Sequence, residues 1–170
     1  MEPSSEVDPG ISSILIVDDN EAICRLLATT LRSDGTRLIE TASTAAEAKA
    51  CLGNRRFDVV ITDISMPDED GISLMQWAGE HTPGASWMVL TGHATVDAAV
   101  RALQLGAFDF FTKPLESLAG LKNTVSNVLE HRRLVAEHGR LHTELEQRNT
   151  ELQANVSQLE AACHLLAEQA

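Results

Sequence analysis

The stretch Asp58–Gly71, which reads DVVITDISMPDEDG, joins a short apolar run to a dense group of carboxylates. The apolar part, Val59–Thr62, is continuous rather than alternating, which is typical of a parallel strand covered on both faces. Asp63 follows directly where this strand should end. Ligands of open parallel sheets bind beside the carboxyl ends of the strands. The stretch therefore predicts a buried strand with a carboxylate at the carboxyl edge of a sheet, where ligands bind.

Four further apolar runs alternate with amphipathic segments along the chain. The runs are Ile14–Val17, Leu38–Ala42, Trp87–Leu90 and Phe108–Phe111, and the candidate helices are Glu21–Ser33, Ala45–Asn54, Ile72–His81 and Val96–Leu105. Thr44 and Glu47 have capping-box spacing at the start of the second helix. Gly35, Gly53 and Gly106 lie where helices should end. The alternation predicts an α/β fold with a doubly wound, five-stranded parallel sheet.

Polar side chains follow the predicted strands. Asp18 and Asp19 come after the first strand and Asp63 after the third. The fourth strand leads to Thr91 and the fifth to Lys113. Because the carboxyl ends of parallel strands share one edge, we expect these side chains to converge there. Crowded carboxylates need a neutralising cation, and Mg²⁺ is a hard ion that prefers oxygen ligands.

A metal site of this kind suggests phosphoryl chemistry. One carboxylate could act as a nucleophile toward phosphorus, while Thr91 and Lys113 stabilise charge on the transferred group. The sequence has no Walker-type glycine-rich loop, which argues against a tightly held nucleotide as donor. Taken singly, Asp18 and Asp19 could be helix caps and Asp63 a turn residue. Their shared position at strand ends favours a functional site.

The same residues lie in segments that resemble the receiver domain of bacterial two-component response regulators. The segments are Asp18-Asp19, DVVITDISMPDEDG around Asp63, VLTGH around Thr91 and GAFDFFTKP ending at Lys113-Pro114. The resemblance covers about residues 12–130. It implies the flavodoxin-like receiver fold and a role in phosphorelay signal transduction.

The resemblance implies a role for each carboxylate. Asp63 would accept a phosphoryl group from the phosphohistidine of a sensor histidine kinase or phosphotransfer protein. Mg²⁺ would bind to Asp18, Asp19, Asp63 and the backbone carbonyl of Ser65. The expected chemistry is therefore phosphoryl acceptance by a signalling domain with slow self-dephosphorylation, and not that of an enzyme.

The resemblance also implies a switch. Thr91 and Lys113 would contact the phosphoryl oxygens, and Thr91 would shift toward them on activation. Phe110 occupies the aromatic switch position, where the ring is buried as Thr91 moves. Phenylalanine replaces the tyrosine often found there, which removes a hydroxyl contact outside the core. The Lys113–Pro114 peptide bond is expected to be cis, a conformation that is essentially confined to proline.

Residues 131–170 contain neither an aromatic residue nor a proline. A row of leucines recurs at seven-residue intervals, at Leu145, Leu152, Leu159 and Leu166, and the other seam row would be Leu134, Leu141, Arg148, Asn155 and Ala162. This heptad pattern predicts a coiled coil that pairs two copies of the chain. An amphipathic helix folded back on the receiver is the alternative. Gly139 costs about 1 kcal/mol of helix stability relative to alanine, and the helix could break there.

Composition excludes several classes of function. Lys and Arg total 13 and Asp and Glu 25, which gives a net charge of −12. This charge disfavours direct nucleic-acid binding. The aliphatic run Ile14–Val17 is too short to cross a membrane. Cys24, Cys51 and Cys163 fit neither a disulfide framework nor a zinc pattern, as expected in the reducing cytoplasm.

The sequence thus predicts a leader over residues 1–12, a receiver domain over 13–130 and a helical coiled-coil extension over 131–170, which could also link to an output domain. We expect phosphorylation at Asp63 to be transmitted through the dimerising helix. One alternative is a Mg²⁺-dependent phosphohydrolase with an aspartyl-phosphate intermediate, although Ser65 stands where such enzymes usually have a second acid. The other is a coiled-coil adaptor that is not phosphorylated, which the complete set of site residues disfavours.

Overall fold

The computed structural model describes residues 11–32, 37–93 and 95–168. Five strands and five helices alternate within these ranges: β1 Ser12–Val17, α1 Glu21–Leu31, β2 Arg37–Ala42, α2 Ala45–Asn54, β3 Val59–Thr62, α3 Gly71–His81, β4 Ser86–Thr91, α4 Val96–Gln104, β5 Ala107–Thr112 and α5 Leu118–Glu168. Every predicted strand and helix is present. The predicted end of the first helix, at Ser33 and Gly35, lies outside the described residues.

The strands form one parallel sheet in the order β2-β1-β3-β4-β5. β1 and β3 are neighbours at its centre, where Ile14 pairs with Val59 and Val17 with Thr62. The chain switches direction of winding between these two strands, which is where doubly wound sheets bind their ligands. The arrangement confirms the predicted α/β fold and places the ends of β1 and β3 side by side.

Helices cover both faces of the sheet because successive residues of each buried strand point to opposite sides. Leu15 and Val17 of β1 belong to a core cluster with residues of α2, α3 and α4. Ile14 and Ile16 belong to a second cluster with residues of α1 and the first turns of α5. Because β1 and β3 are apolar along most of their length, the carboxylates that follow them lie at the ends of the strands.

Capping side chains set where the first two helices begin. The Oδ1 atom of Asn20 accepts a hydrogen bond from the Ala22 amide at 3.0 Å and caps α1. This leaves the preceding carboxylates free of the capping role. Thr44 caps α2 as the sequence predicts, through a 3.1 Å bond from the Glu47 amide. The Glu47 carboxylate accepts from the amide of Ser43 rather than closing a reciprocal box with Thr44.

Helix α5 has 51 residues and is helical through Gly139, so the break considered there does not occur. The chain consists of two compact units, residues 1–129 and 130–170. In the second unit, the leucine row Leu145, Leu152, Leu159 and Leu166 is 60–69% exposed. Within the described part of the chain, no helix is both long and apolar enough to cross a membrane.

Candidate functional site

Three aspartates meet at the carboxyl edge of the sheet, after β1 and β3. Asp18 and Asp63 are buried, with 2% and 6% of their surfaces exposed, whereas Asp19 is exposed. One carboxylate oxygen from each of the three lies within 4.8 Å of the others. The structure thus brings together the three carboxylates that the sequence singled out.

Backbone amides hold the two buried carboxylates in place. Oδ1 of Asp18 accepts a hydrogen bond from the Asn20 amide at 2.9 Å. Oδ1 of Asp63 accepts one from the Ser65 amide at 3.1 Å. The Asp63 amide donates to the carbonyl of Val17 at 2.8 Å, which ties the end of β3 to the end of β1. Both carboxylates are therefore fixed by the strand ends themselves.

Lys113, just after β5, bridges the buried carboxylates. Its Nζ lies 2.5 Å from Oδ2 of Asp18 and 2.8 Å from Oδ2 of Asp63. Burial lowers the pKa of Lys113, but hydrogen bonds and charge attraction from Asp18 and Asp63 outweigh burial and raise this pKa above its ordinary value. The side chain is therefore an ammonium ion at neutral pH and balances part of the negative charge.

Thr91 ends β4 and is fully buried. Its Oγ1 accepts a hydrogen bond from the His93 amide at 3.3 Å, and its carbonyl accepts one from the Lys113 amide at 2.8 Å. The latter bond joins the ends of β4 and β5, so Thr91 and Lys113 share the aspartates' edge of the sheet. The Lys113–Pro114 peptide bond is cis. Phe110 of β5 is partly buried and packs against the core cluster that contains β1 residues Leu15 and Val17.

The donor set fits a hard divalent cation. Three carboxylates and one ammonium give a formal charge of −3 + 1 = −2 at this edge. The carboxylates of Asp18, Asp19 and Asp63 offer only oxygen atoms, which Mg²⁺ prefers. Asp19 is exposed and would complete such a site from the solvent side.

Gly71 is a residue of the site that sequence reasoning did not single out. A Cβ atom at this position would lie 2.0 Å from the backbone oxygen of Asp63 and 3.0 Å from Oγ1 of Thr62. The Gly71 amide also donates to the carbonyl of Ile64 at 2.9 Å. The backbone at Gly71 thus lies so close to Asp63, the candidate phosphoacceptor, that a side chain at position 71 does not fit. An Asp-Gly pair before a helix was the available signal.

Asp68 is a second residue that the sequence did not reveal. Its two carboxylate oxygens accept hydrogen bonds from the amides of Ala45 and Ala46, at 3.1 and 3.0 Å. Burial raises the pKa of Asp68, but hydrogen bonds from backbone amides outweigh burial and lower it overall. The loop after Asp63 is consequently anchored to the start of α2. The partner amides are more than twenty residues away in sequence, so no local pattern predicts this cap.

The comparison with known proteins agrees with this geometry. A family model for the response regulator receiver domain matches residues 14–125. The chain belongs to this family. All the candidate site residues of this receiver, from Asp18 to Lys113, lie inside the matched range. Receivers of this family take part in phosphorelay signalling with histidine kinases or phosphotransfer proteins, and bind Mg²⁺ at an acidic pocket.

Relatives and solved structures support the same assignment. The receiver is 37% identical over 120 residues to the response regulator protein PilR of Pseudomonas aeruginosa, covering 69% of this chain and 26% of PilR. It is similar to a CheY-like receiver structure from Methanospirillum hungatei JF-1, with a TM-score of 0.67, 31% identity and coverage of 72% of this chain and 96% of that one.

A third similar protein is the beryllofluoride-activated NtrC4 receiver domain dimer, with a TM-score of 0.65 and 34% identity. The match covers 71% of this chain and 98% of that one. The chain spans about a quarter of the length of the curated relatives that it matches. These relatives confirm the family that the sequence motifs indicated.

Proposed function

We propose that Asp63 accepts a phosphoryl group from the phosphohistidine of a sensor histidine kinase or phosphotransfer protein. The observation that carries this proposal is the bridge at the sheet edge, where Nζ of Lys113 lies 2.5 Å from Asp18 and 2.8 Å from Asp63. A cation held between two buried carboxylates is already in place for an anionic group that arrives on either of them. Asp63 is the natural acceptor because the close return of Gly71 and the Ser65 amide fix its position.

The transfer forms one bond and breaks one. A carboxylate oxygen of Asp63 attacks phosphorus, the phosphorus–nitrogen bond breaks, and its electron pair stays on the donor imidazole. The product is a mixed anhydride on Asp63. Lys113 can pass from the carboxylate to the phosphoryl oxygens and offset their charge. Bound Mg²⁺ would neutralise phosphoryl charge, with Asp18, Asp19, Asp63 and the backbone carbonyl of Ser65 as its protein ligands.

Thr91 and Phe110 form the proposed switch. The Thr91 hydroxyl is buried and accepts a 3.3 Å bond from the His93 amide. Accepting this bond leaves the hydroxyl proton, which can be donated to an anionic phosphoryl oxygen in a charge-assisted hydrogen bond. Phe110 lies on the neighbouring strand and is half-buried, so a movement of its ring toward the core when Thr91 shifts would cover the part that is still exposed.

The proposed output is a homodimer formed through the helical segment 131–170, with the receiver domain over 13–130. The leucine row of α5 is 60–69% exposed, and a second copy of the same helix would bury it. The three free cysteines are consistent with a cytoplasmic setting. The net charge of −12 supports a protein partner over direct nucleic-acid binding.

Intact-mass measurement after incubation with acetyl phosphate and Mg²⁺ tests the phosphoacceptor role. We expect the mass of one phosphoryl group to be added, and we expect EDTA or the Asp63→Asn substitution to prevent the addition. Asp97→Asn is the matched control, because Asp97 is an exposed carboxylate of α4. Uptake that persists in Asp63→Asn contradicts the proposal.

The same protein separates the two alternative functions. If the protein releases many phosphate ions per chain from p-nitrophenyl phosphate, it is a phosphohydrolase. Ser65 makes this outcome unexpected, because it offers Asp63 a backbone amide and no second acid. An absence of phosphoryl uptake in a protein that still dimerises would identify a coiled-coil adaptor. The proposed receiver takes up phosphate once and loses it slowly.

A further inference from the structure

The leucine row of α5 is flanked by two other rows, and a paired seam would bury only one of them. The row on one side of the leucines contains Leu134, Leu141, Arg148, Asn155 and Ala162, and the row on the other side, which precedes each leucine by three residues, contains Val135, His142, Asn149, Val156 and Cys163. The choice between these rows decides which side chains face a second copy of the chain.

Charge and shape favour the preceding row. Arg148 is paired with Glu144 at 3.1 Å and is 73% exposed, and burial in a seam would set two guanidinium groups against each other. Each row contains one asparagine, but only the preceding row has β-branched residues, Val135 and Val156, which are 58% and 51% exposed. A β-branched residue at the a positions, with leucine at d and one asparagine at a, is typical of two parallel strands. The seam therefore contains His142 instead of Arg148.

Two histidines then occupy consecutive seam positions. His138 precedes Leu145 by seven residues and His142 precedes it by three. Their ring centroids are 6.4 Å apart and their planes differ by 11°, so both rings project from one side of the helix. Both residues are exposed. In a parallel pair in register, the same two imidazoles of a second copy would face them.

Four facing imidazoles have the chemistry of a transition-metal site. Burial of imidazoles without partners is costly, whereas neutral imidazole is the commonest protein ligand of such metals. Zn²⁺ takes four ligands in a tetrahedron. Oε1 of Glu146 lies 3.3 Å from Nε2 of His142, and a carboxylate often orients a metal-binding histidine by accepting its other ring N–H. One copy alone does not complete the site, because the described residues of α5 bring together no group of three metal donors.

We propose that His138 and His142 from two copies of the chain form a four-imidazole site for a divalent transition-metal ion of the Zn²⁺ type. The site rests on the paired helix of the proposed function and adds a ligand that strengthens the pairing. It is separate from the carboxylate site, since it uses nitrogen donors and lies entirely within residues 130–170.

Sedimentation equilibrium of the full chain tests this site, with Mg²⁺ present throughout so that the carboxylate site is not left to Zn²⁺. We expect micromolar Zn²⁺ to lower the dimer dissociation constant by about tenfold or more relative to EDTA-treated protein. Titration calorimetry should give one Zn²⁺ per two chains. The double variant His138→Ala/His142→Ala should lose both effects and keep its helix content, because alanine is the best helix former.

His164→Ala is the matched control, because His164 is an exposed histidine of the same helix that lies outside the seam. It should respond to Zn²⁺ like the original chain. A dimer in EDTA that Zn²⁺ does not strengthen, a Zn²⁺ effect that survives in the double variant, or one Zn²⁺ bound per monomer each overturns the metal site and leaves the paired helix standing. A monomer under every condition overturns the paired helix itself.

Discussion

Leucine side chains of the receiver unit and of residues 130–168 differ in their exposure to water. Leu15, Leu27 and Leu74 are fully buried, whereas Leu145 and Leu152 are each 60% exposed. Charged groups differ in the same way. Lys113 is mostly buried between two carboxylates, while the pairs formed by Arg133 and Arg148 lie on the helix surface.

This difference bears on how each unit is stabilised. The receiver unit encloses an apolar core and pairs its buried charges internally, so a single chain supplies the contacts that stabilise this core, although Val96, Leu103 and Phe108 remain exposed. The helical unit gains hydrophobic stabilisation only when another surface covers its leucine row. Surface ion pairs contribute little by themselves. We therefore expect substitutions in the receiver unit to change folding and phosphorylation, and substitutions in the leucine row to change assembly.

The largest expected difference is between two leucine-to-alanine substitutions. Leu74→Ala should lower the free energy of unfolding by about 2–5 kcal/mol, because it empties a fully buried site. Leu152→Ala should change it by less than about 0.5 kcal/mol and should weaken dimerisation instead. Urea unfolding followed by tryptophan fluorescence checks the first effect, since both tryptophans lie in the receiver unit. Equal losses of unfolding free energy in Leu74→Ala and Leu152→Ala would contradict the distinction between the two units.

The second prediction concerns the charge at the sheet edge. Lys113→Ala should slow phosphoryl uptake from acetyl phosphate on the order of 100-fold, because it removes the cation that contacts Asp63. Lys122→Ala is the control, since Lys122 is a lysine of α5 and does not follow a strand. Initial rates from time-resolved intact-mass spectra provide the measurement. A rate within twofold of the original would show that Lys113 has no part in transfer.

The third prediction compares one substitution in the two units. Gly71→Ala should lower the free energy of unfolding by about 1–3 kcal/mol and slow phosphoryl uptake, because the alanine Cβ would lie 2.0 Å from the carbonyl oxygen of Asp63. Gly139→Ala has nothing within 4 Å and should raise helix stability by about 1 kcal/mol. Urea unfolding measures the first effect, and circular dichroism during heating measures the second. We expect the stability change to be negative for Gly71→Ala and positive for Gly139→Ala. Changes of the same sign would refute the close approach at Gly71.

The smallest effect is expected at Asp68, which anchors the loop after Asp63 to the start of α2. Asp68→Asn should lower the melting temperature slightly at pH 7. Because the folded-state pKa of Asp68 is below its ordinary value, its contribution is present above the unfolded pKa and is lost as pH falls through the folded one. The difference between the two proteins should therefore shrink below about pH 4. Thermal melts at several pH values test this, and a difference that grows in acid would contradict it.

Much of the receiver unit could be predicted from the sequence because its strands are continuous apolar runs that end in polar residues. Val59–Thr62 followed by Asp63 is the clearest case, and β3 has those bounds in the structure. Because the carboxyl ends of parallel strands share one edge of the sheet, Asp18 and Thr91 were then predicted to lie beside Asp63. These inferences need only local patterns and one topological rule.

Long-range contacts could not be predicted in the same way. The shared edge of Lys113 and Asp18 was predicted, but the direct bond between these residues, which are 95 positions apart, was not. The cap from Asp68 to Ala45 joins residues 23 apart, and no sequence pattern indicated it. The seam of α5 was ambiguous for another reason. From heptad spacing we predicted the leucine row with the row of Leu141 and Arg148 as its partner, whereas the exposed Arg148–Glu144 ion pair favours the row of His142.

Locating the phosphoryl group is the most direct test of the central claim that Asp63 is the acceptor. After incubation with acetyl phosphate and Mg²⁺, borohydride reduces an aspartyl phosphate to a stable alcohol at the modified residue. Peptide mass mapping then identifies that residue. The account predicts reduction at Asp63 alone, within the peptide that contains DVVITDISMPDEDG. Reduction at Asp18 or Asp19, or no reduced aspartate at all, would contradict it.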